Sequence, residues 1–141
     1  MKATHLAFLA IQRAAAALAD QSADLLKAEG LSIAQYNVLR ILRGAGQHPL
    51  SCGEIAGRLI ARGPDMTRLL DRMQRDGLVA RERRRDDRRV VGTHLTPHGR
   101  SVLERLDAPM AALHDRQLEH LGHRRLRQLI TLVDVAVPPR P

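Results

Sequence analysis

The stretch SCGEIAGRLIARGPDMTRLLDRMQRDGLVARERRRDDRRVVGTHLT, residues 51–96, decides the fold. It opens with Ser51 three residues ahead of Glu54, a spacing at which hydroxyl and carboxylate satisfy free backbone N–H groups at a helix start. Ile55, Ala56 and Leu59 then share one face of a short helix. After Arg62-Gly63, Pro64 suits the first turn of a second helix, where no N–H is needed. That helix is expected to run to about Asp76, with Met66, Leu69, Leu70 and Met73 inward and Asp65, Arg68, Arg72 and Arg75 outward. Gly77 stops it. Two short helices joined by a tight turn, the second with an arginine-bearing face, form a helix-turn-helix. The period then changes from helical to alternating. Residues 78–81 and 90–95 read as two strands, and Arg83 to Arg88 between them include no apolar residue. Such a hairpin with a charged tip is a wing.

Helices flank this lobe on both sides. Leu6, Leu9, Ala10, Ala14, Leu18 and Leu25 recur at three- and four-residue spacing, giving a long helix over 5–28. Ser32 caps another over 33–43. Thr96 before Pro97 caps a further helix carrying Val102, Leu103, Leu106, Met110 and Leu113. Pro109 is expected to kink or interrupt it, because it cannot donate to the carbonyl of Arg105. A last helix over 123–136 aligns Leu126, Leu129, Ile130 and Val133. The fold expected is mainly α with a two-stranded wing: a single domain over 1–141, with a winged helix-turn-helix lobe at 32–96 and dimerisation helices at 5–28 and 97–136.

Size and composition agree with this reading. The chain has 141 residues, room for one core, and its aromatics are only Phe8 and Tyr36, so aliphatic side chains must pack helix on helix. The terminal helices carry more apolar surface than the lobe can bury, and the same surface of a second copy is its natural partner, giving a twofold homodimer. No apolar stretch reaches membrane-spanning length. With Cys52 as the single cysteine, no internal disulfide framework is possible, and a reducing cytoplasm is the expected setting.

The formal net charge is +8. Eleven arginines against six acidic residues fall within 58–89, so most of the excess lies in the lobe. Arginine forks match phosphate and guanine edges, although a GC-rich genome would also favour arginine over lysine. On the second helix Asp65, Thr67, Arg68, Arg72 and Arg75 are the candidates for DNA contact, residues near its start reaching base edges and later ones phosphate. Spacing alone also allows Asp65/Arg68, Arg68/Asp71 and Arg72/Asp76 to be solvated helix pairs. In the wing, Asp87 and Arg89 can stabilise the turn as a charge-assisted pair, leaving Arg84, Arg85 and Arg88 as DNA contacts. A twofold dimer of such lobes fits a palindromic operator in double-stranded DNA.

Other chemistry is thinly supported. Cys52 sits at the first position of its helix, where a thiolate is favoured, but it has no second cysteine to resolve it. His98, His114, His120 and His123 gather in the last third. His120 and His123, with Asp115 or Glu119, have a metal-compatible spacing without a dense ligand pattern, and surface histidines are the simpler reading. No nucleophile–base pair or carboxylate pair supports an enzyme, and no cofactor is implied.

The chain resembles the MarR family of bacterial transcriptional regulators along essentially its whole length. The resemblance rests on Leu31-Ser32-Ile33-Ala34-Gln35-Tyr36-Asn37-Val38-Leu39, Ile55-Ala56 with Leu59, Thr67-Arg68-Leu69-Leu70-Asp71-Arg72-Met73, Gly77-Leu78-Val79, Asp87-Arg88-Arg89 and Leu95-Thr96-Pro97-His98-Gly99, in that order. It implies a homodimer held by terminal helices, with each reading helix in a major groove and each wing near a minor groove. It further implies a repressor released by a small aromatic or phenolic effector, held between the dimerisation helices and the lobe. Leu9, Arg13, Tyr36 and Leu39 would then be the ligand-binding residues. Three departures stand out: Arg83-Arg84-Arg85 where many relatives carry a proline or an acid, Gly92 where a β-former is usual, and no cysteine in the first helix, where oxidation sensors carry theirs. The competing functions are a low-specificity DNA-coating or architectural protein and a winged-helix protein–protein adaptor.

Overall fold

In a computed structural model the chain is described over residues 1–60 and 65–139. The elements, in order, are α1 (Ala3–Lys27), α2 (Ile33–Gly44), α3 (Cys52–Arg58), α4 (Met66–Arg75), β1 (Val79–Arg83), β2 (Val91–Leu95), α5 (Pro97–Leu118), a 3-10 turn (Glu119–Leu121) and α6 (Gly122–Ala136). Helix starts follow side-chain chemistry. Ser32 and Ser51 each accept from the backbone N–H three residues on (3.1 Å in both cases), while Gln35 and Glu54 accept from the Ser32 and Ser51 N–H. Asp65 caps α4 by accepting from the Arg68 N–H. It is therefore the residue before the helix rather than part of its outer face. Pro64, expected to open α4, lies outside the described residues.

Helix α4 ends at a positive-φ glycine, Gly77 (φ 73°). The Gly77 N–H donates to the Gln74 carbonyl and the Leu78 N–H to the Met73 carbonyl, which turns the chain directly into the wing. The strands β1 and β2 are antiparallel, with Val79 opposite Leu95 and Arg83 opposite Val91. Strand β1 reaches Arg83, two residues beyond the end expected from its apolar pattern, because cross-strand backbone pairing continues under charged side chains. The segment before α3 adds a third partner: Leu50 and Thr93 exchange both backbone hydrogen bonds, at 3.0 and 2.8 Å. This accounts for Gly92. A Cβ there would collide with the ring of Pro49, so the close approach of loop and wing requires glycine.

Pro109 does not interrupt α5, which is continuous through it. Buried Leu106, Met110 and Leu113 hold the turns on either side against the rest of the fold, offsetting the missing donor. Two fork-to-fork ion pairs pin the turn just before it: Arg105 to Glu29 (3.2 and 3.0 Å) and Arg43 to Asp107 (2.8 and 3.0 Å). The core lies where α2, α3, α4, the wing base and the first half of α5 meet. Leu26, Val38, Leu39, Leu50, Ile55, Leu70, Met73 and Leu103 are at most 1% exposed there.

The terminal helices are largely outside this core. Residues 1–17 are exposed throughout, and α6 buries none of its residues. Leu6, Phe8 and Ile11 on α1 and Leu129, Ile130 and Val133 on α6 are 40–59% exposed. No described helix is long and apolar enough to cross a membrane.

Helix α5 is joined to the lobe at one tight spot. Thr96 Oγ1 lies 2.5 Å from the Gly77 carbonyl oxygen, to which it donates, and accepts from the Gly99 N–H (3.0 Å). A Cβ on Gly99 would run into the Leu78 backbone carbonyl. Gly99→Ala is therefore expected to destabilise the fold by about 1–3 kcal/mol through overpacking against backbone, and Thr96→Ala by about 1 kcal/mol through removal of the cap. Urea unfolding at one fixed protein concentration measures both, and unchanged midpoints would contradict the account.

Candidate nucleic-acid interface

Helix α4 presents one apolar and one charged face. Leu69, Leu70 and Met73 are buried, whereas Thr67, Arg68, Asp71, Arg72, Gln74 and Arg75 are exposed. The acidic residues of this helix find specific partners. Asp65 caps the helix and meets Arg68 Nε at 3.5 Å. Asp71 pairs with Arg81 of β1, whose Nε also donates to Gln74 Oε1 at 2.8 Å. One arginine on the wing thus holds two residues of α4 and fixes the helix against the hairpin. Among the described residues Arg72 and Arg75 have no hydrogen-bond or ion-pair partner, so the Arg72/Asp76 pairing that spacing allows is not formed.

The wing tip is built by its own charges. Arg84 donates to the Val90 carbonyl through its backbone, and Arg83 Nη1 donates to the carbonyls of Arg88 and Arg89. Asp87 accepts from the Arg89 N–H and from Nε and Nη2 of the same residue, at 3.0–3.1 Å. These bonds hold the Asp87 carboxyl below its ordinary value, the Arg89 side chain first and its backbone N–H next.

Arg84 is placed differently from the outward contact its sequence suggests. Its guanidinium bonds Asp86 (2.8 and 2.5 Å) and Glu54 of α3 (3.2 and 3.1 Å), and its side chain is only 13% exposed. The reason is the register. Arg84 lies on the wing face that crosses Gly92 and Pro49, so it points at α3 rather than at solvent. Hydrogen bonding from Arg84 pushes the Asp86 carboxyl down to about 2. The Ser51 N–H first, then Arg84, hold Glu54 below its usual value. Arg85 and Arg88 remain exposed, and their guanidinium groups have no partner among the described residues.

The ties that organise this surface carry little local signal in the sequence. Glu54 reads as a capping residue, but its second role toward Arg84 depends on Pro49 and Gly92 letting the loop touch the wing. Arg81 and Gln74 stand seven positions apart, across Gly77, at no regular spacing. The four ligand candidates are not gathered within the single chain: Leu9 and Arg13 lie on the exposed part of α1, while Tyr36 and Leu39 are in the core, with the Arg40 guanidinium 5.8 Å from the Tyr36 ring centroid. Among the described residues no group of three His, Cys, Asp or Glu side chains could hold a metal ion.

Comparison with known proteins bears on this architecture. The MarR family model matches residues 31–91. A MarR transcription factor from Planctomyces limnophilus is 36% identical, with a TM-score of 0.73 over 96% of this chain and 98% of that one. The transcriptional repressor YetL of Bacillus subtilis is 37% identical over 75 residues, 53% of this chain and 45% of that protein. A mutant MarR from E. coli, solved with operator DNA, shares the fold at a TM-score of 0.82 and 24% identity, over 91% of each chain. The chain spans about half to six-tenths of the length of the first curated relatives it matches. By its fold, and by its likeness to a relative matched along nearly its full length, the chain belongs to the MarR family of winged helix-turn-helix transcriptional regulators.

Proposed function

We propose that the protein is a dimeric, sequence-specific DNA-binding regulator that represses transcription and releases its operator on binding a small molecule. One observation carries this reading: Arg72 and Arg75 on α4 and Arg85 and Arg88 on the wing, whose guanidinium groups have no partner among the described residues, belong to two elements braced together by Arg81. Paired arginines build the surface and unpaired ones face outward from it. Thr67 and Arg68, near the start of α4, read base edges, while Arg72, Arg75, Arg85 and Arg88 meet phosphate or a groove wall. Asp65 orients Arg68 as it caps the helix. Arg84 is a positioning residue, holding the wing to α3 through Glu54, and the Asp87–Arg89 pair keeps the tip folded.

The exposed aliphatic faces of α1 and α6 support the dimer, since apolar faces of this extent are normally covered. Two reading helices then address a palindrome whose half-sites lie about 34–36 Å apart. Effector release follows as population shift: a ligand that favours another spacing of the two lobes weakens operator binding by its differential affinity. The repressor named among the relatives, and the related structure holding operator DNA, support the same direction.

Selection of bound duplexes from a random library is expected to yield a palindrome. On that duplex, Arg68→Ala should cost about 1–3 kcal/mol as a base-edge interaction. Arg72→Ala should weaken binding further as a phosphate contact, and undiminished affinity in the double variant would refute the assignment of α4. Arg85→Ala with Arg88→Ala should lower the salt slope of binding by about 2 per subunit, at roughly 0.9 per phosphate neutralised. Arg84→Ala separates positioning from direct binding. It should weaken affinity with little change in salt slope, and return the Asp86 carboxyl from about 2 toward its ordinary 3.8 in an NMR titration. A slope that falls by a full phosphate, with Asp86 unmoved, would make Arg84 a direct ligand of DNA.

A further inference from the structure

A second group of arginines lies away from the reading surface. Arg116 near the end of α5 and Arg124, Arg125 and Arg127 on α6 are exposed, and none has a hydrogen-bond or ion-pair partner among the described residues. Residues 120–133 contain no acid, and His120 and His123 are exposed beside the arginines. Elsewhere among the described residues the exposed arginines with no hydrogen-bond or ion-pair partner are Arg13, Arg40, Arg58 and Arg100, with Arg40 lying over the Tyr36 ring, and those of the reading surface itself.

The placement is distinct as well as the charge. The tail after α6 borders a cavity shared by Gly57, Leu59, Val137 and Pro138, beside the helix-turn-helix. At 1.5 Å per residue, Arg124 is about 20 Å back along the helix from that point. On a helical wheel Arg124 falls opposite the line of Leu126, Leu129, Ile130 and Val133, and Arg125 and Arg127 flank that line on either side. Exposed Leu132 lies beside Arg124 and Arg127. The apolar line can therefore be covered in a dimer while the arginines stay in water.

From this we infer a second nucleic-acid surface at the α5–α6 turn, one that grips the phosphate backbone of another DNA duplex without reading its sequence. The chemistry favours phosphate: arginine forks take two phosphate oxygens at once, and no lysine is present in the patch. It favours a duplex over a lipid surface because the apolar face beside it is committed to the second subunit, and no aromatic side chain stands there to enter a headgroup layer. A dimer with reading helices on one side and this patch on the other would hold two duplexes together. The inference rests on the proposed function for that bridging and for the dimer that covers the apolar line.

The patch is tested directly in the full chain carrying Arg68→Ala, Arg72→Ala, Arg75→Ala, Arg85→Ala and Arg88→Ala, which removes the arginines of the reading surface. Fluorescence anisotropy with a labelled random-sequence duplex should show residual binding that falls about a hundredfold between 50 and 200 mM salt, as about four phosphate contacts per chain require. Adding Arg116→Gln, Arg124→Gln, Arg125→Gln and Arg127→Gln should abolish it. No residual binding in the first variant, or unchanged binding in the second, overturns the inference. The same glutamine changes in the otherwise unaltered chain should leave the dimer intact by light scattering and operator affinity unchanged. Dissociation of the dimer would instead assign these arginines to the subunit interface, and retention on anionic phosphatidylserine vesicles in place of duplex would assign them to a membrane. With both surfaces intact, chain captured on an immobilised selected duplex should retain a second, labelled random duplex. Failure of the first capture tells against the operator reading, and failure of only the second tells against the patch.

Discussion

The structure depends on the contact between the Gly77–Leu78 turn and the start of α5. Three parts converge there within a few residues: the end of the reading helix, the first residue of β1, and the N-terminus of the helix that leads away from the lobe. The contact is mostly backbone. Thr96 Oγ1 bonds the Gly77 carbonyl while accepting from the Gly99 N–H, and Gly99 lacks a Cβ because the Leu78 carbonyl occupies that space. Side-chain contacts can slide by rotamer changes, whereas a contact made from main chain and glycine can only move as a block. The orientation of α4 is thereby tied to the direction of α5.

Charge does a second job on top of this frame. Exposed ion pairs contribute little stability individually, so the value of Arg81, Arg84 and Arg89 lies in direction rather than energy. Each arginine consumed by an acid fixes a position: Arg81 sets α4 against the wing, Arg84 sets the wing against α3, and Arg89 closes the tip. Asp65, Asp71, Asp86 and Asp87 are consumed in the same process. Arg72, Arg75, Arg85 and Arg88 then face outward with no local carboxylate bonded to them, leaving their donors open to a polyanion. A net positive surface therefore arises from a region containing six acidic residues.

Much of this is legible in the residues alone. Capping at Ser32, Ser51 and Thr96, the stop at Gly77 and the change of period at Leu78 are local signals, and each falls where the structure has a boundary. The less legible features depend on distant approach. The Leu50–Thr93 bridge pairs residues far apart in sequence, and Gly92 reads as a weak strand residue until Pro49 is found against it. Arg84 looks like part of a solvated run because a charge string carries no record of which face the register turns inward. Pro109 misleads for a related reason. Local chemistry predicts a break, but the burial of Leu106, Met110 and Leu113 overrides it.

These features bear on how an effector could act through the proposed dimer. Below Pro109, α5 is held to the lobe by the Thr96 junction and by the Arg105–Glu29 and Arg43–Asp107 pairs. The two pairs have opposite polarity along α5 and engage opposite ends of α2, one just before its start and one in its last turn. A tilt of α5 across α2 would strain one or both pairs and press Gly99 against the Leu78 backbone. Any change in the angle between the two subunits must then be absorbed above this point, in the half of α5 that leads to α6, or be passed undiminished to the reading helices. Where the Thr96 junction ties α5 to the end of α4, a change of angle between the proposed subunits that is not absorbed in the upper half of α5 would change the separation of the two α4 helices. On the proposed palindromic operator that separation has to match the half-site spacing.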